Sequence, residues 1–167
     1  MSHPSIMLGG VPIVIHAGAA AESIEPIGGS SVLRLSTGAA VKQRHWERHS
    51  GSISADGFMP PGLAGLDYSL PLELRSTKVQ YIVGSGPSFT LTSTPRPDFP
   101  AWAEALVGEE WMPAAVSVEY GKATVVPVAG AQLYRCCWFP VFSVFAERPV
   151  ESQSDGTHSW SLSWEEA

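Results

Sequence analysis

Glycine and proline punctuate this chain so densely that long helices have no room. There are 16 Gly and 14 Pro in 167 residues. Proline removes a backbone donor and glycine costs the most backbone entropy in a helix, so each breaks a regular run. Between them lie short runs of β-branched and aromatic residues, which suit a pleated sheet. The hydrophobic fraction is 44% and the charged fraction only 16%. A chain of this length buries a sizeable core without metals or disulfides. These features predict an all-β fold, a β-sandwich or β-barrel, with residues 1–167 as one domain.

The individual strands follow from period and punctuation. Residues 11–16 (VPIVIH) read as a buried strand between glycines, and 31–36 (SVLRLS) as a half-buried strand ending at Thr37-Gly38. Residues 70–75, 79–83 and 89–93 are strand-like. Residues 115–120 and 123–128 flank Gly121 as a hairpin. The run 132–147 is the most β-prone, and Pro140 within it predicts an edge strand or a bulge. Residues 149–157 read as a polar loop, and 159–164 (SWSLSW) alternates with Trp160, Leu162 and Trp164 on one face. Residues 56–67 (DGFMPPGLAGLD) read as an ordered loop anchored by Phe58, Met59, Leu63 and Leu66. One short α-helix is expected near 99–108. Asp98 would cap it, Pro100 would sit in its first turn and Gly108 would end it.

The segment 41–51, VKQRHWERHSG, carries two histidines four residues apart beside Lys42, Arg44 and Arg48. On a helix His45 and His49 would share a face and suit a metal. A metalloprotease helix needs glutamate directly after the first histidine, and Trp46 stands there. The flanks are β-like, so the segment is expected to be a strand. Lys42, Arg44, Trp46 and Arg48 then alternate on one face, with Val41, Gln43, His45, Glu47 and His49 on the other. That basic-aromatic face is the candidate subunit interface.

Other chemistries find little support. The formal net charge is −6, against the basic face of a nucleic-acid binder, so no specific nucleic-acid partner is expected. No apolar run reaches membrane-spanning length, and no membrane partner is expected. The two cysteines, Cys136 and Cys137, are adjacent. That spacing disfavours a mutual disulfide, and no second pair completes a zinc motif. No nucleophile elbow, phosphate loop or dinucleotide fingerprint occurs. No cofactor, metal or enzymatic activity is expected. The basic segment 42–48 and the acidic segments 104–110 and 165–166 either mate between identical subunits or are scattered solubilising charge. Six tryptophans and six phenylalanines admit an alternative, a carbohydrate-binding or adhesin-like β-sandwich module.

Two stretches resemble tail proteins of long-tailed bacteriophages. The first, residues 32–75, runs VLRLSTGAAVKQRHWERHSGSISADGFMPPGLAGLDYSLPLELR. It is similar to a strand pair carrying Gly-x-x-Lys-Gln-x-x-Trp, here with one further residue between Gly38 and Lys42, followed by a Gly/Pro-rich loop and a further strand. The second, residues 139–167, runs FPVFSVFAERPVESQSDGTHSWSLSWEEA and is similar to the closing strand of tail-tip components. Together they cover somewhat under half of the chain. The resemblance implies a structural role in the virion tail, as a distal tail or minor tail protein made in the host cytoplasm. Such proteins form rings, usually hexamers, between tail tube and baseplate hub. The implied partners are copies of the chain itself and those tail proteins.

Overall fold

The structure, a computed structural model, describes residues 3–167. In chain order the strands are β1 (Met7–Leu8), β2 (Val11–Pro12), β3 (Ala21–Arg34), β4 (Ala40–Gly57), β5 (Leu72–Arg75), β6 (Gln80–Gly84), β7 (Ser88–Thr90) and β8 (Thr94–Pro95). They continue with β9 (Trp102–Val107), β10 (Glu110–Ala114), β11 (Val116–Glu119), β12 (Lys122–Val125), β13 (Ala131–Trp138), β14 (Pro140–Ala146), β15 (Val150–Ser154) and β16 (Thr157–Glu166). A 3₁₀ turn, Ile15–Ala17, precedes β3. The fold is all-β, as the residue pattern predicts.

The chain forms two compact units, each drawn from separate stretches of sequence. One comprises residues up to Pro12 together with Glu73–Phe142; the other comprises Ile13–Leu72 with Ser143–Ala167. Because each is discontinuous, no composition shift or linker marks the division.

The first unit is a sandwich. Its sheet β10-β9-β13-β6 faces the sheet β11-β12-β7, and their inner faces share one core. Phe89, Ala103, Ala105, Ala123, Val125, Tyr134, Cys136 and Trp138 fill it. Trp138 also donates its indole N–H to Ser93 Oγ at 2.9 Å. Tight turns set the registers. Tyr120 and Gly121 both have positive φ between the paired Glu119 and Lys122, a type I′ geometry that matches strand twist. Gly108 alone has positive φ between the paired Val107 and Glu110, the type II′ form.

The helix expected near 99–108 does not form; Trp102–Val107 is strand β9. Ala103 and Ala105 are buried while Trp102 and Glu104 point the other way, a period of two rather than 3.6. The stretch is too short to hold a helix alone, and β10 and β13 pair with it on both sides. Gly108, read as a helix stop, serves as the hairpin turn. Of the edge or bulge expected in 132–147, the edge is corrected, while a register shift does occur against β9 between Ala131 and Leu133. The run divides into β13, paired on both sides, and β14, with Pro140 as first residue where no donor is needed.

In the second unit the end of β14 pairs with β16, β16 with β4, and β4 with β3. Strand β15 pairs with the start of β16 through the turn Asp155-Gly156, so the loop expected at 149–157 is a hairpin. One face of this sheet is apolar, with Ile53, Ala55, Trp160, Leu162 and Trp164 all buried. The 3₁₀ turn seals part of it, and Trp160 donates its indole N–H to the Ala17 carbonyl at 2.9 Å. The expected strand 11–16 therefore shortens to β2 and gives way to this turn. The opposite face carries Ser23, Ser50, Ser52, Ser54, Ser161 and Ser163, the alternate partners in the same register. In the 56–67 loop Leu63 is buried, but Phe58 is 83% exposed, so Phe58 and Met59 are not anchors.

Candidate interface on the β3–β4 arm

Strands β3 and β4 are 14 and 18 residues long, yet β16 covers only Ser50–Gly57 of β4. Beyond Ser50 the two strands continue as a ribbon paired only with each other. Every residue from Ser30 to Arg48 is exposed. The ribbon closes through Ser36-Thr37-Gly38, with Gly38 at φ 85° and the Leu35 N–H donating to the Ala39 carbonyl. This is the three-residue hairpin with glycine in the left-handed position.

All four residues expected at the interface lie on this arm: Lys42, Arg44, Trp46 and Arg48. They do not share one face. The ladder pairs Gly29 with Trp46 but Ser30 with Arg44, leaving His45 as an extra residue. A bulge of one residue reverses the alternation beyond it. Arg48 and Trp46 therefore share a face with Gln43, Val41 and Leu33. Lys42 and Arg44 stand on the other face with Val32, Arg34 and Glu47. The bulge is what lets Arg44 reach Glu47, three residues on, in an ion pair. Both partners are well exposed, so the pair adds little stability.

Glycine makes the bulge possible. A Cβ on Gly29 would lie 2.8 Å from the Trp46 indole nitrogen, and one on Gly28 would lie 2.5 Å from the Trp46 carbonyl oxygen. The indole thus rests on bare backbone across the ribbon, an aromatic side chain covering a strand glycine. The paired glycines in the middle of a strand were the sequence signal for this irregularity.

The histidines separate. His49 sits at the base of the arm, where its Nδ1 and backbone N–H both meet Glu166 Oε2 at 2.9 Å. His45 is the exposed bulge residue. Among the described residues no group of three or more His, Cys, Asp or Glu is gathered as a metal would require. No helix among them is long and apolar enough to cross a membrane. Cys136 and Cys137 point to opposite faces of β13 and both are buried free thiols. Burial, with Cys137 alongside, pushes the Cys136 thiol up to about 11; burial also raises Cys137.

Two polar features of the first unit escape pattern reading. Arg96 is only 3% exposed. Its Nε and Nη2 donate to the two Asp98 carboxylate oxygens at 3.0 and 2.8 Å. Its Nη1 donates to the Ser5 and Ser76 carbonyls at 2.8 and 3.1 Å. The Arg96 hydrogen bonds hold the Asp98 carboxyl down at about 2, with Arg75 contributing. On the outer face of β9 and β13, Arg135 bonds Glu104 and lies 4.6 Å over the Trp111 ring. Asp98 is two residues from Arg96, but the Ser5 and Ser76 carbonyls and the Arg135–Glu104 partners lie far apart in sequence, beyond a short local motif.

The chain matches no family model and no curated protein.

Proposed function

We propose that this chain is a structural component of a long-tailed phage virion, a ring-forming distal tail or minor tail protein between tail tube and baseplate hub. It is made in the host cytoplasm and works by assembly with copies of itself, in a hexamer, and with other tail proteins. The observation that carries this reading is the uncovered arm. A two-stranded ribbon with both faces and both edges in water is marginal on its own. This one also exposes Val32, Leu33, Leu35, Val41 and Trp46. Free edges and apolar side chains of this kind are what a partner covers. The segment that resembles tail proteins, 32–75, includes most of the arm.

The test excises the arm. Replacing residues 30–45 by Asn-Gly joins the paired Gly29 and Trp46 through a two-residue turn. The shortened chain should fold, with a β-sheet circular dichroism reduced only by the missing arm and an unchanged melt, and remain monomeric by mass photometry, where the full chain forms a discrete ring. A full chain that stays monomeric at every concentration refutes the proposal. A second reading, glycan binding, rests on an apolar depression in the first unit lined by Phe99, Trp102, Phe139 and Pro113. A glycan array probed with the monomeric, arm-less chain separates the two.

A further inference from the structure

The sheet of the second unit carries a row that mirrors the arm in composition. Phe145 pairs with Glu165, Glu165 with Ser50, and Ser50 with Glu25, so these side chains line up across four strands on the serine face. The Ser50 hydroxyl donates to Glu25 Oε1 at 3.5 Å. Glu147 joins them through its N–H to the Ser163 carbonyl, and the group walls a shallow depression. Three exposed carboxylates thus line this depression, with Phe145, 49% exposed, beside Glu165 and Glu147 at one end and Glu25 at the other. None of the three has an ion-pair partner among the described residues. On the arm, Arg34, Lys42 and Arg44 surround Val32, which is 60% exposed. With Arg44 paired to Glu47, Arg34 and Lys42 keep the arm surface net cationic beside an aliphatic group; the other surface is anionic beside an aromatic ring.

We infer that the cationic face of the arm docks on the Glu25–Glu147–Glu165 depression of a second copy of this chain. The inference rests on the self-assembly reading above and adds the identity of both contact surfaces. Arm and depression of one chain cannot meet. From the Glu25–Ser50 pair to the Val32–Lys42 pair the ladder runs seven residues along β3, roughly 23 Å at the usual rise per residue. The same stiff ladder that presents the arm holds it away from its own depression. Each contact therefore joins an arm from one copy to a depression from another and, wherever two copies do not exchange arms reciprocally, leaves a free arm and a free depression at the ends. Such a head-to-tail contact propagates until rotation closes it into a ring. Opposite charge on the two surfaces steers the encounter and disfavours arm against arm. The carboxylates also distinguish this partner from a polyanion, which the arm alone would attract but the depression would repel.

The experiment is a charge swap between two variants of the full chain. The first carries Lys42→Glu and Arg44→Glu, the second Glu25→Lys and Glu165→Lys. All four positions are exposed, so thermal melts should match the unaltered chain. Each variant alone meets like charge and should assemble at least tenfold more weakly by mass photometry. An equimolar mixture should regain assembly, because each altered surface then finds its complement in the other variant. Native mass spectrometry should show even copy numbers only. The inference is overturned if either variant alone assembles like the unaltered chain, or if the mixture stays monomeric. It is also overturned if the arm variant assembles normally while losing binding to heparin, which would assign the arm to a polyanion. If the unaltered chain never assembles, the self-assembly reading itself falls, and that control is measured first.

Discussion

Replacing Arg96 with methionine is expected to be the most damaging single change in the first unit. The guanidinium is almost fully buried and makes four hydrogen bonds, two to Asp98 and two to main-chain carbonyls. Methionine fills similar volume but satisfies none of these acceptors. The Ser76 carbonyl is left buried without this donor, at about 1–3 kcal/mol. Losing the charge-assisted bonds to Asp98 adds about 1.5–3 kcal/mol. With a urea m-value of ~2 kcal/mol/M, the unfolding midpoint should fall by roughly 2 M. Asp98 is 39% exposed, so once Arg96 is gone the carboxylate regains water. Adding Asp98→Asn to Arg96→Met should therefore change stability by no more than ~1 kcal/mol, a strong departure from additivity. The pair also has a pH signature. The folded Asp98 carboxyl lies at about 2, below its usual 3.8, so its stabilisation is complete above 3.8 and is lost as pH falls toward 2. At full strength that shift is worth about 2.4 kcal/mol; solvent screening of an exposed carboxylate reduces it to ~1–1.5 kcal/mol. Arg96→Met should lack this acid-labile component. Urea titrations followed by tryptophan fluorescence, repeated from pH 5 to pH 2, test all three. An Arg96→Met variant within 1 kcal/mol of the unaltered chain, or additive behaviour with Asp98→Asn, would mean that the buried guanidinium does not hold this region together.

Other positions give separate tests. Deleting His45 should leave the faces of the arm unchanged, since Gly29–Trp46 and Ser30–Arg44 then become consecutive pairs; assembly should survive. Inserting one alanine between Gly29 and Ser30 should instead move Lys42 and Arg44 to the Trp46 face and weaken assembly at least tenfold in mass photometry, with the melt unchanged. Gly51→Ala should destabilise by about 2–3 kcal/mol in urea unfolding, because its Cβ would sit 2.0 Å from the Ser23 carbonyl oxygen and 2.8 Å from the Trp164 ring. Both cysteines should resist a thiol-reactive disulfide reagent at pH 8 while folded and titrate fully in denaturant. They are buried, and the Cys136 thiol at about 11 keeps little thiolate at that pH.

Much of the sheet structure was legible because burial on one face imprints a period of two. SWSLSW became β16 with Trp160, Leu162 and Trp164 buried. The hairpin around Gly121 formed one residue earlier than read, at Tyr120-Gly121. The arm was legible as a strand pair meeting at Thr37-Gly38. Its exposure was not, because VLRLS alternates as if half-buried and nothing local states that no sheet faces it. Residues 101–107 misled for the reverse reason. AWAEALV has good helix formers, and only the β10 and β13 ladders on either side make it a strand.

The sequence alone determined that this chain is all-β, that its turns fall at glycines, and that its basic-aromatic segment is a strand. Those properties are local: backbone sterics, period and punctuation act within a few residues. Tertiary structure decided that the chain forms two discontinuous units, that Arg96 is buried among distant carbonyls, and that Lys42 and Arg44 turn away from Trp46 and Arg48. The last depends on a single extra residue, His45. A ladder's register is fixed by both strands at once, so one strand's sequence cannot say which face its side chains take.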